Sequence, residues 1–64
     1  MIKVGDVIEQ NGTSYKVEQI AKAHGSFAKT GIIGSVLLRP ESGNGRFMAW
    51  IWDDGEVSLA FEIA

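Results

Sequence analysis

With 64 residues, no cysteine, one histidine and a net charge of −2, the chain has room for one core and no second domain. The missing cysteine excludes disulfides, thiol chemistry and zinc–thiolate sites, and a lone histidine builds no transition-metal site. A domain this short is marginal unless something staples it, so a homo-oligomer is expected over a monomer.

The opening Met1-Ile2-Lys3-Val4-Gly5-Asp6 lacks the long apolar stretch of a signal peptide. The longest apolar-leaning run, 32–38, is broken by Gly34 and Ser35 and falls well short of the about 20 residues that span a bilayer. The expectation is a soluble, cytoplasmic protein with no membrane contact. Residues 2–9 and 13–21 read as strands rich in Val, Ile and Tyr, joined by Asn11-Gly12, a strong short hairpin signal. A two-residue loop there pairs Ile8 with Tyr15, whereas a three-residue loop pairs Val7 with Val17. Residues 22–31 lack periodicity and form the longest loop, the natural carrier of binding on a rigid scaffold. A third strand covers 32–39 and stops near Pro40, which has no N–H for a ladder. Glu41-Ser42-Gly43-Asn44-Gly45 is a turn by composition.

The segment from Arg46 to Ile63 reads as a hairpin closed at Asp54-Gly55. A two-residue loop pairs Asp53 with Glu56, Trp52 with Val57, Trp50 with Leu59 and Met48 with Phe61. Alternate residues share a face, so Met48, Trp50, Trp52, Val57, Leu59 and Phe61 are expected to face the core. Phe47, Ala49, Ile51, Ser58, Ala60 and Glu62 then form the opposite face, which is poor in charge and suited to cover by another strand, a loop or a second protein.

The sum is an all-β single domain over 1–64: five short antiparallel strands in a small barrel or curved sheet. Val4-Gly5-Asp6-Val7-Ile8, Asn11-Gly12 and Tyr15-Lys16-Val17-Glu18-Gln19-Ile20 resemble the opening of small barrels of the Src-homology (SH3-like), Tudor and KOW type. In those a Gly-Asp turn precedes the first strand, and a Gly hairpin leads into a Tyr-x-Val-x-x-Ile strand. The likeness covers the first third of the chain and implies a non-enzymatic binder of peptides, nucleic acids or proteins. The compact, cysteine-free format is similar to small accessory proteins of phages and mobile elements, some of which act as inhibitors.

No motif points to catalysis or a cofactor. Asp53 and Asp54 are adjacent carboxylates, but neighbours at a hairpin tip diverge into water, and Asp is ordinary turn chemistry. His24 has no nucleophile at a telling spacing, and neither a Walker loop nor a Gly-x-Gly-x-x-Gly fingerprint occurs. Gly43-x-Gly45-Arg46 reads as a flexible turn, with an anion nest as its functional alternative. Residues 16–46 carry Lys16, Lys22, Lys29, Arg39 and Arg46 against Glu18 and Glu41, while 47–64 carry only Asp53, Asp54, Glu56 and Glu62. The leading expectation is protein binding through Phe27, Phe47, Ile51, Asp53 and Asp54. The alternative is nucleotide or nucleic-acid binding through Lys22, His24, Lys29, Arg39 and Arg46.

Overall fold

The structure is a computed structural model and describes residues 2–22 and 30–63. The chain forms five antiparallel strands: β1 (Val7–Gln10), β2 (Thr13–Lys22), β3 (Ile32–Pro40), β4 (Arg46–Trp52) and β5 (Val57–Ile63). They lie in chain order in one strongly curled sheet, a half-barrel. The all-β, five-stranded antiparallel expectation holds. Among the described residues no helix is long and apolar enough to cross a membrane.

The first hairpin closes as Asn-Gly dictates. Asn11 and Gly12 both take positive φ, 53° and 81°, which a two-residue type I′ turn requires. Ile8 therefore pairs with Tyr15. The paired run extends backwards through Asp6, whose carbonyl accepts from the Val17 amide at 2.9 Å, and Gly5, whose amide donates to the Val17 carbonyl at 2.9 Å.

The last hairpin corrects the expected register. Among the described non-glycine residues only Asn11 has positive φ, so Asp54 cannot serve in a type I′ turn. Instead the Gly55 amide donates to the Trp52 carbonyl at 2.9 Å, and the Trp52 amide donates to the Glu56 carbonyl at 2.8 Å. Asp53-Asp54-Gly55 is thus a three-residue loop: a type I turn followed by Gly55 at φ 90°. The Asp54 side chain supports it by accepting from the Glu56 amide at 2.9 Å. The extra loop residue slides the pairing by one, so Ile51 faces Val57, Trp50 faces Ser58 and Ala49 faces Leu59. A one-residue slip reverses a strand's faces.

Consequently the core is built from Tyr15, Val17, Val36, Leu38, Ala49 and Ile51, with Ile2, Ile8, Phe47, Val57 and Leu59 packed against it. Tyr15 and Phe47 meet edge to face at 5.6 Å. Met48, Trp50, Trp52 and Phe61, expected inside, are not members of that cluster. Phe47, Ala49 and Ile51, expected on the opposite face, are. Val57 and Leu59 point inward as expected, but a bulge at Ala60 lets Phe61 pair with Met48 on the outer face.

Two further bulges shape the curl. One falls between Val17 and Gln19 on β2, leaving Glu18 without a ladder partner, and one between Ile32 and Gly34 on β3. At Gly34 a Cβ would stand 2.6 Å from the Ala21 carbonyl oxygen, so the two strands approach as only glycine allows.

Candidate functional sites on the two ends and the outer face

Because Val36 and Leu38 turn inward, Ser35 and Leu37 turn outward; because Ala49 and Ile51 turn inward, Met48 and Trp50 turn outward. The register sets Leu37, Met48 and Phe61 side by side across β3, β4 and β5, and Ser35, Trp50 and Ser58 in a parallel row. Trp52 is anchored on this side, its indole N–H donating to Ser58 Oγ at 2.8 Å. Phe61 is 54% exposed, and Ile63 and Val7 are exposed as well. The outer face is thus an apolar, aromatic surface in water, with its centre free of charge.

At the hairpin tip lies an open cleft of about 460 Å3 lined by Ile2, Ile33, Ile51 and the Asp53-Asp54-Gly55 turn. It gathers three of the five residues expected to meet a protein partner: Ile51, Asp53 and Asp54. Ile51 is only 8% exposed and forms the floor, with the two aspartates at the rim. Phe47 stands apart, packed on Tyr15 in the core, and Phe27 lies outside the described residues.

The opposite end gathers Lys16, Arg39 and Arg46 among the carboxylates of Glu18, Glu41 and Glu62. Lys16 pairs with Arg39, and Arg46 enters β4 beside them. Glu18, at the β2 bulge, joins both arginines: Arg46 Nε donates to Oε1 at 3.1 Å, and Arg39 Nε lies 3.4 Å from Oε2. Of the five residues expected to contact nucleic acid, the fold unites Arg39 and Arg46. It sends Lys22 to the far end of β2, opposite Gly34, while His24 and Lys29 lie outside the described residues. The reading of the sequence passed over Lys16 and Glu18. Their alternation with Tyr15 and Val17 places Lys16 on the outer face, but nothing in the sequence announces the bulge that turns Glu18 towards two arginines.

Among the described residues no three His, Asp or Glu side chains gather to hold a metal ion, and no buried side-chain polar atom lacks a hydrogen-bond partner. No protein-family model, curated protein or solved structure matches the chain.

Proposed function

We propose that this chain is a non-enzymatic binding module that acts through contact with another protein, and that the contact is made by the outer face of β3, β4 and β5. One observation carries the reading: Leu37, Met48 and Phe61 form an apolar row on the face opposite the core, with Trp50 beside it. Aromatic residues and methionine are the types enriched where proteins meet, and charge is depleted at the centre of such patches. A sheet face that serves only solvation carries charge at these positions. The resemblance of the first third to small barrels that bind rather than catalyse agrees with this assignment.

Site-specific photo-crosslinking tests it. A benzoylphenylalanine at position 61 is expected to capture a discrete protein band in cells, and the same group at Val4, exposed but off this face, to capture none. Truncating a residue at the heart of such a contact typically costs about 2 kcal/mol, roughly thirtyfold in affinity. Met48→Ser should therefore remove the band from the position-61 probe. Identical capture from both positions, or none from position 61, contradicts the assignment.

A further inference from the structure

Glu18 touches Arg39 and Arg46 in a way that leaves both arginines usable. Each contact is made through Nε, one to each carboxylate oxygen. A guanidinium offers five N–H donors in a rigid fork, so the terminal amino groups of both remain for another acceptor. The carboxylate lies beneath and the cations outside: the Glu18 side chain is 23% exposed, against 52% and 58% for Arg39 and Arg46. Two adjoining clefts open here and share Arg39 and Gly43. One, of about 300 Å3, is lined by Lys16, Arg39, Pro40, Glu41 and Gly43. The other, of about 360 Å3, adds Asn44, Gly45, Arg46 and Ile63, with two guanidiniums in its lining and the Glu62 carboxylate close behind Gly45, 3.0 Å from where a Cβ there would stand.

We infer that this trough is a binding site for the phosphodiester backbone of a single-stranded nucleic acid. Paired arginines held at fixed orientation suit phosphate oxygens, which accept two parallel N–H bonds from one fork. Two clefts joined at Arg39 offer places for successive phosphates, with Lys16 beyond. Phe61 lies on the same face, two positions from Ile63, which borders the trough. Its exposed ring gives an unpaired base a surface for stacking, the usual companion of a basic groove in single-strand binders. Glu18 is a positioning residue: it touches no phosphate but sets the angle of both forks. The phosphate contacts rest on Arg39 and Arg46, which the protein contact proposed above does not use; Phe61 is shared by the two readings, so the arginine variants test the trough apart from that contact.

The test is fluorescence anisotropy of labelled dodecathymidylate at low salt, with thermal unfolding confirming that each variant is folded. Three neutralised phosphates predict a log–log salt slope of about −2 for a single strand. Arg39→Ser and Arg46→Ser should each flatten it by about 0.7 and weaken binding several-fold. Glu18→Gln separates alignment from charge. It removes a negative charge, so a site governed by net charge alone binds more tightly; a site that needs the two forks held in place binds more weakly, as expected here. Free phosphate is titrated in parallel while the amide signals of residues 43–46 are followed. Tighter binding by Glu18→Gln, unchanged binding after loss of both arginines, or phosphate shifts without oligonucleotide binding would each overturn the inference.

Discussion

The side-chain amide of Gln10 on β1 donates to the main-chain carbonyl of Val57 on β5 at 3.0 Å, joining residues 47 positions apart. These are the two edge strands of the sheet. The curl brings them close enough for a side chain to span the gap but not for a ladder to form. The bond also occupies an outward carbonyl of β5, and the Ala60 bulge breaks the straight run that edge-to-edge aggregation would need. Replacing Gln10 by Ala should cost about 1 kcal/mol. That lowers the melting temperature by roughly 4–8 °C in a domain of this size. Hydrogen exchange of the β5 amides should quicken more than that of β3. Unchanged melting and unchanged β5 exchange would show that the edges are held together by other means.

Gly34 supplies a second prediction, because its demand for glycine is spatial where those at the turns are conformational. A Cβ there would sit 2.6 Å from the Ala21 carbonyl, whereas one at Gly55 would meet nothing within 4 Å. Gly34→Ala must push β2 and β3 apart at the end of their ladder, where Gly34 faces Lys22, which should cost about 1–3 kcal/mol. Gly55→Ala strains only one residue at φ 90°, at a cost of order 1 kcal/mol. Urea midpoints should therefore fall in the order wild type, Gly55→Ala, Gly34→Ala. The reverse order contradicts the close approach at Gly34.

The two hairpin turns also show how far the sequence can be read. At Asn11-Gly12 the sequence leaves a two-residue or a three-residue loop open, and positive φ at both residues closes it as the two-residue turn. At Asp54-Gly55 the two-residue loop expected from the sequence is overturned, for a reason that composition does not reveal. Aspartate is as good in the type I turn of a three-residue loop as in a two-residue one, and Asp53 was available to join it. The three-residue loop puts Ala49 and Ile51 in the core with Val36 and Leu38 and leaves both tryptophans outside that cluster. Strand number, order and the two hairpins were therefore legible, while the face of β4 was not. The end that holds the two arginines was half legible. Arg39 and Arg46 lie at the ends of strands joined by a short turn, so their meeting follows from the hairpin, but the bulge that brings in Glu18 leaves no mark in the sequence.

The assignment of faces can be checked with two adjacent leucines. Leu38 is fully buried, and its neighbour Leu37 is half-buried on the outer face. Leu38→Ala should cost about 2–5 kcal/mol. Domains average roughly 0.05–0.15 kcal/mol of stability per residue, so this change should remove a large share of the total and lower the melting temperature steeply. Leu37→Ala leaves no closed cavity and should cost under about 1 kcal/mol. Circular dichroism melts of the pair decide the matter. Equal losses, or a greater loss at Leu37, would mean that β3 faces the other way.

The tryptophans give a spectroscopic counterpart. Trp50 and Trp52 are half-buried on the outer face, and Trp52 donates to Ser58 Oγ at 2.8 Å. Their emission should be quenched by acrylamide in the native protein, and Trp50→Phe or Trp52→Phe should each leave a quenchable signal. Had the two-residue loop placed both rings in the core, native emission would be blue-shifted and shielded. The hydrogen bond itself is separable from the packing. Ser58→Ala should cost about 1 kcal/mol, and Trp52→Phe should lose the same bond together with some contact area. In the double variant the bond can be lost only once, so a double-mutant cycle should return a coupling of about 0.5–1.5 kcal/mol. A coupling of zero means that Trp52 and Ser58 do not interact in solution, and the outward placement of the Trp52 ring would then lose its anchor.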